Sequence, residues 1–282
     1  NYLFVDGRYT LQAKIQSKKN FNIVTIPNKF PSDILKKKRL NIGFDPKLHT
    51  QKSFKVFFSK TNCRLVSVNQ NLVDKLSVQK GDDKLKKFYI LPKQAVGQNY
   101  KSKIKKLINI LNKKKIEFQF ISSSENIAWL LNIRGQDSKF TPIPNAYLTL
   151  DTNKKINLFC NLNKVENSFK QKFKNIKIID IKYTNLFLSK IKNKKILIDS
   201  SSCSIYFENI LKKNNKISEF FDPIYFLKCI KSKKEIKNTV KSHIYDGAAL
   251  TKFLFWLKKN YEKQNINEIS AQKKLLKYRK KN

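Results

Sequence analysis

Few residue types that commonly carry out chemistry occur in this sequence, and they lie far apart. His49 and His243 are the two histidines of the 282 residues. Neither belongs to an H-E-x-x-H motif, which would place two zinc-binding histidines and a glutamate on one helical face. We therefore interpret both as structural histidines held by hydrogen bonds.

A serine cluster, Asp199-Ser200-Ser201-Ser202, follows a predicted strand. A serine nucleophile needs a base that takes its proton, but no histidine lies near the cluster in the sequence. We expect the cluster to cap the helix predicted over 204–213. The six glycines are too dispersed for the glycine-rich loop that holds a phosphate group.

The four cysteines are widely spaced and contain no C-x-x-C pair; they are Cys63, Cys160, Cys203 and Cys229. In a chain of this size, that spacing indicates buried reduced thiols. A disulfide framework or a zinc site is not predicted.

The stretch 122–151 is the part of the sequence with the most residues of special backbone use. Ser122 and Glu125 have the spacing of a capping box, so we predict that a helix begins there. We predict that it ends near Gly135, which can adopt a positive φ. Two prolines then favour an extended segment before a strand over 146–150.

The elements that position these residues alternate between strands and helices. The N-terminal part predicts strands over 2–5, 22–26, 40–44 and 64–68, with helices over 8–16, 32–38 and 50–59. The central part predicts a helix over 103–115 and another near 164–173, and strands over 118–121, 156–160, 176–181 and 195–199. This alternation is typical of α/β sheets with helices packed on them.

The last seventy residues have a helical pattern. Asp222-Pro223 is interpreted as a break, and Ser232 and Glu235 form a second capping box. An apolar stripe then predicts one long helix over 233–261. A further helix is predicted to begin near Glu268.

Three ordered blocks of residues resemble the Xaa-Pro aminopeptidases of the creatinase/peptidase M24 family. The first is Phe4-Val5-Asp6-Gly7-Arg8-Tyr9 with Gly43-Phe44-Asp45-Pro46, and the second is Ile127 to Gly135 with Asp137, Pro142 and Pro144. The third is Ser242 to Leu250 with Asn267-Glu268-Ile269-Ser270-Ala271. The resemblance implies an α/β fold in four parts. They are the C-terminal part of a creatinase-like domain I (1–78), a connector (79–100), a creatinase-like domain II (101–221) and the start of a truncated pita-bread catalytic domain (222–282).

The resemblance implies that the full-length protein is a metallopeptidase, with two manganese ions, that acts on peptides with proline at the second position. Its metal ligands are two Asp, one His and two Glu, which lie beyond the end of this chain. We therefore expect no catalytic residue and no metal ligand here, and an inactive chain. The family's D-G-R-Y arginine helps to hold substrate, so that role carries over to Arg8. The alternative for Arg8 is a structural pairing with Asp6 or with a carboxylate at a strand end.

The composition gives a formal charge of +40. Only five of the 60 basic residues are arginine, and the 55 lysines are spread over the whole chain. Lysine lacks the planar fork that reads bases and phosphates. We therefore expect no specific nucleic-acid partner, although a Lys-rich nucleic-acid binder is one alternative.

Both ends of the sequence stop inside predicted elements and no methionine is present. We expect the chain to be a fragment of a longer cytoplasmic protein, with a possible homodimer as its assembly. No apolar run is long enough to span a membrane. The other alternative is a stand-alone binding or oligomerisation module without catalysis.

Overall fold

The computed structural model describes residues 1–76, 86–138 and 140–281. Its N-terminal segment, residues 1–76, alternates strands with short helices. The elements are β1 (Tyr2–Asp6), a 3₁₀ turn (Gly7–Tyr9), α1 (Thr10–Ser17), β2 (Asn22–Ile26), α2 (Pro31–Leu35), β3 (Asn41–Phe44), α3 (Gln51–Phe58), β4 (Arg64–Ser67) and α4 (Leu72–Leu76). β1 pairs in parallel with β2, and β3 pairs in parallel with β4.

Capping explains where two of these helices begin. Thr50 accepts a hydrogen bond from the Ser53 amide, as predicted for the start of α3. The helix predicted over 32–38 begins one residue earlier: the first residue outside α2 is Phe30, and Ser32 is buried inside the helix. Pro31, with its fixed φ, occupies the first helical position instead.

The N-terminal segment buries little apolar surface. Its buried residues are Ala13, Ser32 and Pro46, and none of them belongs to either hydrophobic cluster of the described residues. Its strands form two separate pairs, so no wide sheet is available to cover an apolar layer.

The central segment is built on a six-stranded mixed sheet. Its elements are β5 (Tyr89–Ile90), α5 (Tyr100–Lys113), β6 (Phe118–Ile121), α6 (Ser124–Leu131), β7 (Ile133–Arg134), β8 (Ala146–Asp151), β9 (Ile156–Cys160), α7 (Asn167–Lys172), β10 (Lys177–Asp180), α8 (Thr184–Ser189), β11 (Lys195–Ile198), α9 (Ile205–Lys212) and β12 (Lys216–Glu219). The strand order is β10-β9-β8-β6-β11-β12. β8 runs antiparallel to both of its neighbours, and the other pairs are parallel.

Each face of this sheet carries its own hydrophobic cluster, because alternate residues of a strand point to opposite faces. Phe118 and Phe120 pack with α8 and α9, whereas Ile121 of the same strand packs with α5 and α6. On β11, Leu197 belongs to the cluster of Ile121, whereas Ile196 and Ile198 belong to the cluster of Phe118 and Phe120. Helices therefore cover both faces, as the predicted α/β class requires.

The stretch 122–151 is folded differently from its prediction at both helix ends. The residue that precedes α6 is Ser123, not Ser122, and Glu125 accepts a hydrogen bond from the Tyr225 hydroxyl. The helix ends earlier than predicted, because Asn132 adopts the left-handed conformation with φ 57°. Gly135 has no positive φ; a Cβ there would lie 2.7 Å from Pro144 Cα, so close packing requires the glycine.

The predicted connector 79–100 forms regular, packed structure in its described residues, 86–100. Its residues 79–85 lie outside the described residues, but Phe88 is buried and β5 pairs antiparallel with β7. The aromatic side chain of Phe88 joins the core beside Phe169. This part of the chain is therefore packed against the central segment.

The C-terminal helices are α10 (Pro223–Cys229), α11 (Lys233–Asn260) and α12 (Glu268–Arg279). The capping box at Ser232 and Glu235 is confirmed at the start of α11. The chain breaks at Asp222 as predicted, between β12 and α10, and Asp222 caps α10 by accepting a hydrogen bond from the Ile224 amide. Among the described residues, no helix is long and apolar enough to cross a bilayer.

The apolar stripe of α11 remains largely exposed. Ile236, Val240 and Ile244 are each more than half exposed, and Ala249 is the buried residue of the helix. α12 packs against α11, and Arg279 forms an ion pair with Asp246. The stripe expected to face a core is therefore open on the described part of the chain.

Candidate functional site

Arg8, the predicted substrate-binding residue, lies in the 3₁₀ turn after β1. Its Nε and Nη2 atoms donate to the two carboxylate oxygens of Asp6 at 3.2 and 2.7 Å. The Arg8 amide also donates to Asp6, which caps the turn. The Arg8 side chain is 82% exposed.

The hydrogen bond from Arg8 lowers the pKa of Asp6, so this carboxylate stays charged at neutral pH. An ion pair this exposed adds little to stability. The guanidinium bonds to Asp6 use Nε and Nη2, and Nη1 takes no part in them. The pairing with Asp6 is therefore present, and a role in holding substrate stays a prediction.

His49 lies in a cluster of phenylalanine rings in the N-terminal segment. Its ring centroid is 6.0–6.3 Å from those of Phe44, Phe54, Phe57 and Phe58. Burial lowers the pKa of His49, with Asp45 opposing the shift. The environment is therefore structural, although ring packing replaces the expected side-chain hydrogen bond among the described contacts.

The backbone around His49 joins the N-terminal segment to the central one. The His49 carbonyl accepts from the Ile205 amide at 2.9 Å, and the Pro46 carbonyl accepts from Tyr206 at 3.0 Å. Thr50 forms an isolated antiparallel bridge with Ser204. These contacts fix the first turn of α9 against the loop before α3.

His243 lies on α11, far along the chain from these contacts. Its Nδ1 is 2.9 Å from the Thr239 carbonyl, so this nitrogen carries the proton. A hydrogen-bonded structural role for His243 agrees with this contact. No described contact joins either histidine to Arg8.

The serine cluster forms a turn held by Asp199. Asp199 accepts from the Ser201 amide at 2.8 Å and from the Asp222 amide at 3.0 Å. The Ser202 hydroxyl lies 2.9 Å from that of Ser122. The prediction that this cluster caps α9 is wrong, because the cap is Ser204, two residues after it. Within the described ranges no histidine side chain contacts these serines.

A buried polar network centred on Asp222 was not predicted. Gln119 donates to one carboxylate oxygen of Asp222 at 3.0 Å, and Asn126 donates to the other at 2.7 Å. Lys228 then donates to the Asn126 side chain at 2.6 Å. Burial raises the pKa of Asp222. The network joins α10 to the inner strand β6 and to α6, and its partners are about a hundred residues away in sequence.

Lys103 was also missed as a residue of special environment. Its ammonium group donates to the Trp129 carbonyl at 2.7 Å and to Asn132 Oδ1 at 2.6 Å, and it lies 4.0 Å from the Trp129 ring centroid. The residue is 2% exposed. Burial lowers the pKa of Lys103 to about 8. An amphipathic pattern alone does not reveal that a lysine on the edge of the apolar face will be enclosed.

All four cysteines are free thiols. Cys160 and Cys203 are buried as predicted, whereas Cys63 is half-buried and Cys229 is exposed. Burial raises the pKa of Cys160 to about 12, and it also raises the pKa of Cys203. The prediction of burial is therefore wrong for Cys229, which lies at the last residue of the short helix α10.

Metal donors are not grouped in the part of the chain that the structure describes: no three His, Cys, Asp or Glu side chains there could hold a metal ion together. Two carboxylates with several contacts already accept hydrogen bonds from other protein groups. Asp222 is bound by amides, and Glu235 caps α11. These residues do not supply the donor set of a two-metal site.

The mixed sheet with helices on both faces, preceded by a smaller α/β segment, defines the class of this protein. Residues 79–235 match the Creatinase/Prolidase N-terminal domain family. This match covers more than half of the chain, so the chain belongs to that family. The resemblance and fold class predicted from sequence are both confirmed.

The curated relatives point to one group within the family. The chain is 31% identical to the Xaa-Pro aminopeptidase ApepP of Drosophila melanogaster over 98% of its length. It is 30% identical over 99% of its length to a probable Xaa-Pro aminopeptidase P of Laccaria bicolor. The chain spans about half the length of these relatives, 48% and 46% respectively.

A solved structure shares the fold over nearly the whole chain. It is the X-prolyl aminopeptidase of Caenorhabditis elegans, described as a cytosolic enzyme with a di-nuclear active site. The TM-score is 0.85 at 24% identity, covering 99% of this chain and 48% of that one. The arrangement of the N-terminal segment, central sheet and C-terminal helices therefore follows that of the worm protein.

Proposed function

We propose that this chain forms the front, non-catalytic part of an Xaa-Pro aminopeptidase, an enzyme that releases an N-terminal residue preceding proline. The observation that carries the proposal is 31% identity to the fly ApepP over 98% of the chain. A match of that length includes the N-terminal segment, the central sheet and the C-terminal helices. It exceeds what a shared sheet architecture alone would produce.

The proposal assigns the metal chemistry to residues outside this chain. Two metal ions, proposed to be manganese, would polarise the scissile carbonyl and activate a water molecule. The donor groups of the described residues do not form such a site. The contribution of this chain is therefore to bind and position the peptide, whose second residue is proline.

The proposed substrate contact is Arg8. Its turn is exposed and held by Asp6, so the direction of the guanidinium is fixed before substrate arrives. Nη1, which the bonds to Asp6 leave unused, can donate to a peptide carbonyl or carboxylate at little entropic cost. In a homodimer, the proposed assembly, this turn would contact substrate in the site of a partner subunit.

The exposed stripe of α11 supports an extended protein over a stand-alone module. Ile236, Val240 and Ile244 form an apolar face on a 28-residue helix. Faces of that kind are usually covered in a stable protein. The proposed cytoplasmic location is supported by the four free thiols, which a reducing compartment preserves.

The experiment compares the 282-residue chain with the complete product of its gene. The chain alone should hydrolyse no Xaa-Pro peptide and retain no manganese after dialysis, because its described residues do not form the donor set. The complete product should bind metal and release the residue before proline. Matched peptides with alanine in place of proline test the substrate assignment.

Two results would contradict the proposal. One is turnover with stoichiometric metal in the chain alone. The other is a complete product that folds, by circular dichroism, but cleaves neither peptide with manganese or another divalent metal added.

A further inference from the structure

A cavity of about 400 Å³ lies between the central segment and the first half of α11. Lys103 of α5, Trp129 of α6 and Arg134 of β7 form one wall. Glu235 and His243 of α11, together with Lys231 just before that helix, form the other. The wall residues thus come from elements that are far apart in the sequence.

The cavity is rich in cations that lack a carboxylate partner. Lys103, Arg134 and Lys231 line it, and none of the three takes part in an ion pair among the described residues. Lys231 donates to a backbone carbonyl, that of Lys228. One oxygen of the cavity's carboxylate, Glu235 Oε2, accepts from the amide and the hydroxyl of Ser232, both at 2.8 Å.

Two of these cations are withdrawn from water. Lys103 is 2% exposed and Arg134 is half-buried. Burial lowers the pKa of each; for Lys103 the charge of Glu235 opposes this shift, and the charges of Arg134 and Lys231 add to it. Buried charges in proteins are normally paired, because an unpaired charge removed from water destabilises the folded state.

Two donors of the wall have hydrogen-bonding capacity that no described acceptor uses. Arg134 uses Nη1 for two backbone carbonyls, those of Ala128 and Ile133. Its Nε and Nη2 groups take part in no described hydrogen bond, so the fork has room for a further acceptor. Trp129 Nε1 is likewise buried without a partner in the part of the chain that the structure describes.

We propose that this cavity binds a phosphate group, either as inorganic phosphate or on a small phosphorylated molecule. Arg134 would bind two oxygens through its fork, and Lys231 would close the cavity from the rim. Lys103, enclosed behind Trp129, acts through its charge. The volume exceeds that of one phosphate ion, so a small organic substituent can be accommodated.

The bound group would fasten α11 to the central segment, because its ligands come from both walls. Binding to the folded state alone raises stability with ligand concentration. Phosphate should therefore raise the melting temperature of the chain in a saturable manner. A general effect of anions on a protein with a charge of +40 would instead follow ionic strength.

The test is a titration of the 282-residue chain with inorganic phosphate at constant ionic strength, with chloride as the replaced anion. Calorimetry and melting temperature are measured together. We expect one saturable site. Arg134→Gln should weaken binding about tenfold or more, the effect of removing a charge-assisted pair of hydrogen bonds. Lys231→Gln should cause a smaller loss, since that lysine is exposed.

Arg39→Gln is the matched control, because it removes one exposed arginine in the N-terminal segment. It should leave phosphate affinity unchanged. If Arg134→Gln fails to fold, Arg134→Lys keeps the charge without the fork and should still weaken binding, as should Lys231→Gln. Glycerol phosphate and phosphate are titrated in parallel, and tighter binding of the ester identifies a phosphorylated metabolite as the ligand class.

Equal stabilisation by chloride and phosphate would overturn the proposal. So would equal losses in Lys231→Gln and Arg39→Gln, because they would show that total charge, and not this cavity, determines the response.

Discussion

Arg8 extends from the surface, and the carboxylate two residues earlier holds its guanidinium. Lys103 has the opposite situation, since it is enclosed and its partners are a carbonyl, an amide oxygen and an indole ring. An exposed cation can bind a ligand or a partner, whereas an enclosed cation affects the stability of the folded state. The two residues therefore call for different measurements.

For Arg8, the prediction concerns the complete enzyme. Arg8→Lys keeps the charge but loses the fork, so kcat/KM should fall roughly ten- to a hundredfold in both Arg8→Lys and Arg8→Ala. An increase in KM alone would indicate a contact equally strong in ground and transition states. A lower melting temperature with unchanged kcat/KM in the folded fraction would indicate that Arg8 only holds the turn with Asp6.

For Lys103, the prediction is a stability that depends on pH. The pKa of about 8 in the folded chain lies below the value of about 10.4 for an unfolded lysine. Below pH 8 both states are protonated and the folded state carries the full cost of the buried charge. Between about pH 8 and 10.4 the unfolded state binds more protons, so the free energy of unfolding should rise by about 3 kcal/mol.

Denaturant unfolding of Lys103→Met across this pH range should lack that rise. Lys105→Met, which changes an exposed lysine of the same helix, should retain it. Because many lysines and tyrosines titrate in the same range, the difference between each variant and the parent chain is the quantity to compare. Parallel curves for the parent and Lys103→Met would contradict the prediction.

At the scale of elements, α11 has the capping residues that begin a helix, but its apolar face is exposed to solvent. Its capping box determines where the helix begins, but the stripe through Ile236, Val240 and Ile244 lies in solvent. Capping depends on residues a few positions apart. Covering a helix face depends on whatever packs against it.

Ile244→Glu tests this feature in two contexts. In the 282-residue chain the free energy of unfolding should change by less than about 0.5 kcal/mol, because residue 244 is 65% exposed. In the complete gene product, where the proposal covers this face, the same substitution should cost about 1–3 kcal/mol. Lys237→Glu, on the same helix, should have a small effect in both. A small effect of Ile244→Glu in both proteins would indicate that the face is never covered.

The sequence predicted elements where the deciding contacts are local. β6 and β9 were predicted with their observed bounds, because a short run of apolar residues with strand propensity determines each of them. α6 is shorter at both ends than the helix predicted from the sequence. At its C-terminal end, Asn132 ends the helix before Gly135, because its side chain is hydrogen-bonded to Lys103 and to the Gln98 carbonyl. The Asp222 network could not be predicted, since Gln119 and Asn126 meet it only in the folded sheet. Arg8 as a candidate came from family resemblance and not from its chemistry.

At the scale of the whole molecule, the charge of +40 is the dominant property. Its lysines are distributed over the N-terminal segment, the central segment and the C-terminal helices. Such a surface releases counterions from a nucleic acid but has few forks to read bases.

We therefore predict weak association with DNA and RNA that is independent of sequence and is lost as salt rises to about 0.15 M. Fluorescence anisotropy with several unrelated duplexes over a salt series measures this. A duplex bound at least about tenfold more tightly than the others at that salt concentration would contradict the prediction and favour a nucleic-acid function.

The order of strands in the central sheet also affects how the protein is made. β6 lies inside the sheet between β8 and β11, yet β11 is synthesised long after β6 and β8. On the ribosome the nascent chain can form β6-β8-β9-β10 while the other side of β6 is still an open edge. Synthesis of the residues between β6 and β11 takes on the order of 4–15 s at about 5–20 residues per second. During that interval an unpaired edge with Phe118 and Phe120 beside it is exposed to other chains, so this interval is when chaperones should bind the growing protein.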